Sequence, residues 1–222
     1  MSISENVKKV AQDISDACKR VNRDPNSLTV VGVTKYVDHQ IAKELYASGI
    51  THLGENRADV FLEKHQEIKE NVTWHFIGTL QTRKVRDIIN KIDYLHSLDR
   101  LSLAEEIQKR AVSKVKCFVQ VNVADEQSKH GLDPDEVIDF MMQLSAFEKI
   151  EVVGLMTMAP FTTDELVIRD CFSSLRRLQQ KVLKLNLTYA PCTELSMGMT
   201  DDFKVAISEG ATFVRLGRCL VE

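Results

Sequence analysis

The stretch LTVVGVTKY, residues 28–36, predicts both the first strand of the fold and a reactive side chain at its end. Its first seven residues are apolar, β-branched or glycine, and such a run predicts a buried strand. Lys35 follows the run, and a helical pattern begins soon afterwards. In α/β folds the carboxyl ends of strands carry the chemistry, and a lysine amine can form a Schiff base with a carbonyl compound. Lys35 is therefore the first candidate site residue.

Strand and helix patterns alternate eight times outward from this stretch. The predicted strands are residues 28–34, 51–56, 74–78, 92–98, 116–123, 151–158, 193–196 and 211–217. The predicted helices are residues 4–22, 38–47, 57–68, 80–90, 99–112 (capped by Asp99), 134–146, 164–185 and a last one that ends at Gly210. Regular alternation predicts a parallel sheet, and eight units favour an α/β fold closed as a single (β/α)8 TIM-type barrel. An open, doubly wound sheet remains the alternative.

The chain shows no break in composition, no linker and no low-complexity tract, which predicts one domain over residues 1–222. Only five residues follow Gly217, too few for an eighth outer helix after the last strand. We therefore expect the N-terminal helix to complete the outer ring of the barrel.

Composition excludes several classes of function. The net charge of −3 shows no basic bias, so nucleic acid is not an expected partner. No apolar run approaches the roughly 20 residues of a membrane span, and the polar N-terminus predicts an amphipathic helix rather than a signal peptide. The five cysteines are odd in number and form no CxxC pair, which predicts reduced structural thiols in a cytoplasmic protein.

All strand ends of a barrel face the same mouth, so the residues there define a candidate site. They supply one reactive amine, several neutral hydrogen-bonding groups and one fixed cation: Lys35, Asn56, Gly78 with Thr79, Ser97, Asn122, Met156 with Thr157, Ser196, and Arg215 with Gly217. The sequence shows no carboxylate pair and no His/Asp/Glu cluster at metal-ligand spacing. A glycosidase or a metal hydrolase is therefore disfavoured.

Three of these positions suggest how a ligand could be held. The SMGMT segment, residues 196–200, is predicted to open a helix after the seventh strand and is a candidate anion site, and Gly217 lets backbone approach the same anion. The alternative is that Ser-x-Gly simply caps a helix. Asn56 either hydrogen-bonds a ring substituent or serves as a turn residue.

Arg215 lies between Val214 and Leu216 in an apolar strand, so it points either into the barrel or between strand and helix. A buried arginine needs a partner. It could form a structural ion pair, or it could donate to a ring nitrogen of an aromatic cofactor. His75 is expected to be a packed strand residue, and His96 either reaches the mouth or takes a solvated or core position.

Eight motifs, in order and spacing, resemble the YggS/PROSC family of pyridoxal 5′-phosphate (PLP) homeostasis proteins. They are VGVTK (31–35), GEN (54–56), WHFIGTLQTRK (74–84), SLDR (97–100), VNVADEQSKHG (121–131), GLMTMAP (154–160), LSMGMTDDF (195–203) and VRLG (214–217). The chain departs from the family pattern at Asp38, at Arg218, where a small hydroxyl residue is usual, and in the tail LVE.

The resemblance implies a fold like the N-terminal barrel of alanine racemase, of PLP fold type III. It also implies an internal aldimine on Lys35, Asn56 beside the cofactor and Arg215 at the pyridine nitrogen. The implied phosphate site consists of Ser196 and the backbone around Met197, Gly217 and Arg218.

The function implied by the resemblance is a carrier: a non-catalytic, monomeric protein that holds PLP as a reversible Schiff base and buffers or delivers it, with PLP-dependent apo-enzymes as candidate recipients. An arginine at the pyridine nitrogen opposes protonation there and weakens the cofactor as an electron sink.

The alternative is an amino-acid racemase, which needs a second acid/base. Alanine racemase takes that group from a C-terminal domain and a partner subunit, and no motif marks Tyr36, Tyr46, Tyr94 or Tyr189 as a substitute. A third candidate function is that of a barrel enzyme that binds a phosphosugar.

Overall fold

The computed structural model describes residues 2–124 and 130–222, and eight parallel strands within them close into a barrel. The strands are β1 (Thr29–Val33), β2 (His52–Glu55), β3 (Thr73–Phe76), β4 (Tyr94–Leu98), β5 (Val115–Gln120), β6 (Ile150–Met156), β7 (Glu194–Ser196) and β8 (Phe213–Leu216). Each strand pairs with the next, and β8 returns to β1, with Arg215 in register with Val31. The predicted closed α/β barrel is confirmed, and the open sheet is excluded.

Helices surround this barrel, and the first one completes the ring. The helices are α1 (Ile3–Arg20), α2 (His39–Ala47), α3 (Ala58–Glu67), α4 (Val85–Ile88), α5 (Leu101–Arg110), α6 (Val137–Gln143), α7 (Glu165–Leu183), α8 (Phe203–Ser208) and α9 (Arg218–Val221). A capping box between Ser2 and Glu5 starts α1. Helix α1 packs between α2 and the pair α8 and α9, and the amide of Asn6 donates to the carbonyl of Leu220. This confirms that α1 completes the outer ring.

Two predicted helix features differ from the structure. The predicted helix 80–90 is a 3-10 turn, Thr82–Lys84, followed by the single turn of α4. Leu80 and Ile89 are buried from positions just outside this helical segment, so the apolar spacing made the predicted helix too long at both ends. Asp99 does not cap α5, which begins after Arg100 without a side-chain cap. Asp99 instead accepts a hydrogen bond from the Arg100 guanidinium at 2.6 Å.

Two apolar layers hold the barrel, one between strands and helices and one inside the barrel. Val214 and Leu216 belong to the outer layer. Phe213 belongs to the inner layer, which also contains Val31, Phe118, Val153 and Met156. Because side chains alternate along a strand, Arg215 lies on the inner side with Phe213. The strand therefore directs Arg215 into the barrel.

Within the described residues, no helix is both long enough and apolar enough to cross a bilayer. Cys18, Cys117 and Cys192 are buried free thiols. Burial raises the pKa of Cys192 to about 12, so this thiol stays protonated and unreactive at neutral pH.

Candidate functional site

Lys35 lies on a tight turn just beyond β1, at the mouth of the barrel. The amide of Thr34 donates to the carbonyl of Gly54 at 3.0 Å, and the amide of Val37 donates back to the carbonyl of Thr34 at 3.1 Å. The Lys35 side chain is half-buried, with its amine 4.8 Å from the ring centroid of Tyr36. Tyr36 itself is 86% exposed. The backbone thus fixes where the lysine leaves the strand, while its amine stays open to a ligand.

A buried ion pair supports this turn from behind. Lys64 on α3 lies 2.5 Å from the Glu55 carboxylate and 2.5 Å from the carbonyl of Thr34. The Thr34 hydroxyl also donates to Glu55 at 2.5 Å. All three side chains are buried. The pair therefore anchors the peptide unit that joins Thr34 to Lys35.

Sequence reasoning missed this ion pair, although its signal was present. Phe61, Lys64 and Ile68 are spaced three and four residues apart and are all buried. That spacing places Lys64 on the apolar face of α3. A lysine on a buried face requires a carboxylate, and Glu55 in the GEN motif provides it.

Asn56 lies beside Lys35 at the mouth. Val33 and Gly54 are register partners on β1 and β2, and the two site residues follow them by two positions each. A side-chain carbon at Gly78 would collide with the Asn56 backbone, so the turns after β2 and β3 are in close contact there. Asn56 is half-buried, as a mouth residue should be.

Arg215 is buried inside the barrel, with 4% of its surface exposed. One terminal nitrogen donates to the Ser196 hydroxyl at 2.6 Å, and the other donates to the carbonyl of Thr157 at 2.9 Å. Burial lowers the pKa of Arg215 to about 10, against the opposing effect of Asp202. The guanidinium is thus still charged at neutral pH, and its orientation is set by neutral partners.

The segment after β7 turns sharply beneath the mouth. Ser196 is fully buried, and its hydroxyl lies 2.9 Å from His96 Nδ1 as well as accepting from Arg215. The amide of Met197 donates to the carbonyl of Phe213. Gly198 has a φ of 93°, and a Cβ there would collide with Ala206. Helix α8 begins only at Phe203, so SMGMT is a packed loop and does not open a helix directly.

The loop after β8 places Gly217 and Arg218 differently. Gly217 lies next to Val33 of β1, and a Cβ there would make only ordinary contacts. Arg218 opens α9, but its side chain is exposed and pairs with Asp201. The guanidinium of Arg218 therefore faces solvent, while its backbone stays beside Gly217.

Three histidines that the sequence did not single out as a group meet inside the barrel. His52, His75 and His96 are linked ring to ring, at 2.9 Å and 2.8 Å. Each lies two residues beyond the register partner of the previous one, so the rings climb from the amino end of β2 towards the mouth. The expectation that His75 is a packed strand residue agrees with its burial, but both of its ring nitrogens are also hydrogen-bonded.

Among the described residues, no group of three histidine, cysteine, aspartate or glutamate side chains could hold a metal ion.

Comparisons with known proteins identify the family. The family model described as alanine racemase, N-terminal domain, matches residues 36–221. A pyridoxal phosphate homeostasis protein from Aquifex aeolicus is 38% identical over 224 residues, which cover 99% of this chain and 97% of the relative. The chain belongs to the family of pyridoxal phosphate homeostasis proteins. The resemblance noted from the eight motifs is thus confirmed.

Solved structures agree with this homeostasis-family assignment. The structure of PipY from Synechococcus elongatus, with PLP bound, is 28% identical and superposes with a TM-score of 0.86 over the whole of both chains. Alanine racemase from Corynebacterium glutamicum is 15% identical, with a TM-score of 0.78 over 98% of this chain and 59% of the racemase. The racemase shares the barrel fold.

In this homeostasis-family member the predicted site residues form three groups. Lys35 and Asn56 share the ends of β1 and β2. Arg215 and Ser196 are hydrogen-bonded inside the barrel. Met197, Gly217 and Arg218 lie in the segments that follow β7 and β8.

Proposed function

We propose that the protein binds PLP through a reversible covalent bond to Lys35 and buffers or delivers it, without catalysing a reaction of its own. The observation that carries this proposal is the pairing of an accessible mouth amine with a buried, charged Arg215 on the neighbouring strand. When bound, PLP supplies an aldehyde carbon that reacts reversibly with amines. The residues described below would hold the rest of the molecule.

The donor set fits each part of PLP. An arginine carries five N–H donors, and the bonds to Ser196 and Thr157 account for two, which leaves others for a ring nitrogen. The loops after β7 and β8 would supply backbone amides to the anionic phosphate, from positions next to Met197 and Gly217, because the amide of Met197 already donates to Phe213. Asn56 can hydrogen-bond a ring substituent. Ser196 would act on the site through Arg215, because its hydroxyl is already engaged by that side chain and by His96.

The charge state of Arg215 supports a carrier over a racemase. Arginine keeps its protons, so it would donate to the pyridine nitrogen and leave that nitrogen unprotonated. An unprotonated ring withdraws fewer electrons from a bound amino acid. The cofactor would therefore be held firmly but activated weakly.

The four tyrosines support the same choice. Tyr94 lies in the inner layer towards the amino end, and Tyr46 and Tyr189 pack against the outer layer. Only Tyr36 lies near Lys35, and it is exposed. We expect no measurable inversion of L- or D-alanine by the PLP-loaded protein, and an identical result for Tyr36→Phe, when the products are separated by chiral chromatography. Inversion that disappears in Tyr36→Phe would make the protein a racemase.

Ser196→Ala tests the role of the last residue of β7. The change removes the acceptor of Arg215, which leaves a buried donor unsatisfied, so retention of PLP should weaken roughly tenfold while the covalent bond still forms. Equilibrium dialysis against PLP measures this change, with the exposed Ser145→Ala as the matched control. Equal affinities of the two variants would remove Ser196 from the site.

We further propose that the protein works as a one-domain monomer in the cytoplasm and passes PLP to apo-enzymes that need it. The buried free thiols suit a reducing compartment. Light scattering of the purified protein tests the monomeric state. Transfer of PLP to a PLP-requiring apo-enzyme, followed by that enzyme's activity, tests delivery.

The direct test of the proposed function is a titration of the protein with PLP, followed by visible absorption. A saturable band that differs from that of free PLP is expected. A spectrum equal to the sum of free PLP and protein would contradict the proposal.

A further inference from the structure

The three histidines continue the hydrogen bonds of Arg215 across the barrel. Arg215 donates to Ser196 at 2.6 Å, and the Ser196 hydroxyl lies 2.9 Å from His96 Nδ1. His96 Nε2 lies 2.8 Å from His75 Nδ1, and His75 Nε2 lies 2.9 Å from His52 Nδ1. We call these five residues the histidine chain. It runs from the cofactor end of the barrel to its amino end.

Chemistry gives this chain one direction. Arginine can only donate, so the Ser196 oxygen accepts from it. Of the two groups recorded against the Ser196 hydroxyl, His96 Nδ1 is the one that can accept its hydrogen, so the arrangement that uses this buried hydrogen points it to His96 Nδ1. That nitrogen is then bare, and the hydrogen of His96 lies on Nε2, facing His75. The same step repeats at the next ring, so His75 also carries its hydrogen on Nε2 and donates to His52. Every ring is therefore an Nε2–H tautomer.

The chain requires neutral rings, because a protonated histidine would place two donors against each other. Burial lowers the pKa of His75 and His96 well below the usual value, and a proton on the neighbouring histidine, together with the Arg215 charge beside His96, would lower it further. Burial also lowers the pKa of His52, against the attraction of Asp93. At neutral pH the three rings are uncharged.

Aromatic side chains hold the rings in place. Tyr94 stacks on His75 at 4.6 Å between centroids, almost parallel to it. Phe118 stacks on His96 at 4.4 Å, and Phe213 meets both Phe118 and His96 edge-on. Packed on both sides, the rings have little freedom to turn towards other partners. The accepting nitrogen of each ring, Nδ1, therefore stays directed along the chain towards Arg215.

We propose that His75 and His96 are positioning residues for Arg215, and that the histidine chain is a one-directional hydrogen-bond line that holds the guanidinium where it would face the ring nitrogen of PLP. The role towards PLP rests on the proposed function. The direction of the chain does not, since it follows from contacts within the protein alone.

The tautomers can be measured in protein without PLP. Long-range proton–nitrogen NMR spectra of 15N-histidine-labelled protein should show Nε2–H for all three rings, assigned with single His→Gln variants. Arg215→Met removes the obligatory donor, so His96 and His75 should lose their fixed tautomer. His65, which lies outside the chain, is the internal control. Nδ1–H at His96 in the wild type, or an unchanged tautomer at His96 in a folded Arg215→Met protein, would overturn the proposal.

Ser196→Ala serves if Arg215→Met does not fold. It keeps the arginine but cuts the link, and the tautomer of His96 should again become mixed. A fixed Nε2–H form of His96 in that variant would contradict the chain.

Substitutions at His96 test its role in positioning. Asparagine keeps an acceptor near the Nδ1 position, whereas leucine keeps the volume and removes it. His96→Leu should weaken PLP binding roughly tenfold and shift the visible band, and His96→Asn should restore both. Equal loss in both variants would indicate only a packing role and would overturn the proposal. If the wild type binds no PLP but shows the predicted tautomers, the proposed function fails and the direction of the histidine chain stands. If it binds PLP but shows different tautomers, the proposed function stands and the histidine chain fails.

Discussion

Lys35→Ala is expected to abolish covalent binding of PLP and to leave the protein folded. The backbone of the turn is held by the Thr34 amide and carbonyl, which the substitution does not touch. The amine itself contacts the exposed ring of Tyr36, and such a cation–π contact contributes only about 0.5–1 kcal/mol. The free energy of unfolding should therefore fall by no more than about 1 kcal/mol.

Absorption and dialysis measure the loss, and urea denaturation measures the stability. The matched control is Lys43→Ala, a half-buried lysine on α2 that should keep full PLP binding. A visible band of undiminished strength in Lys35→Ala would place the covalent bond elsewhere. Global unfolding of that variant would show that the lysine is structural.

Lys64→Met is expected to destabilise the protein by about 3–5 kcal/mol, because it leaves the Glu55 carboxylate buried without its partner. It also removes the donor to the Thr34 carbonyl, so the turn before Lys35 becomes less fixed. PLP affinity measured under folding conditions should therefore fall as well.

A second substitution separates charge from packing. Adding Glu55→Gln to Lys64→Met replaces an unpaired buried charge with a neutral amide, and stability should partly return. The exposed Lys69→Met is the control for loss of a lysine. Urea unfolding of the four proteins gives the comparison. A loss below about 1 kcal/mol in Lys64→Met would mean that Glu55 is not held as a buried ion.

The barrel could be predicted from sequence because its strands are short apolar runs separated by helical patterns. Each strand end then follows from where the run stops, which places Lys35, Asn56 and Arg215 at or near one mouth. Because side chains alternate along β8, Arg215 could point either into the barrel or towards the helices. The position of Phe213 in the inner layer shows that Arg215 points into the barrel. Residues 80–90 show the limit, since the buried side chains of Leu80 and Ile89 lie beyond the helical segment 82–88 and made the predicted helix too long.

The histidine chain could not be predicted in this way, because it depends on register between strands. His52, His75 and His96 are more than 20 residues apart in sequence, and their rings meet because each histidine lies two residues beyond the register partner of the previous one. Ser196 shows the same limit. Its position at the end of β7 suggested an anion site, whereas its hydrogen bond to Arg215 depends on the register between β7 and β8.

The central claim is that the amine of Lys35 carries PLP. Reducing the PLP-loaded wild-type protein with borohydride makes the bond permanent, and mass spectrometry of its peptides locates it. We predict a single pyridoxyl group on the peptide that contains Lys35. A label confined to another lysine, or no label at saturating PLP, would contradict this account.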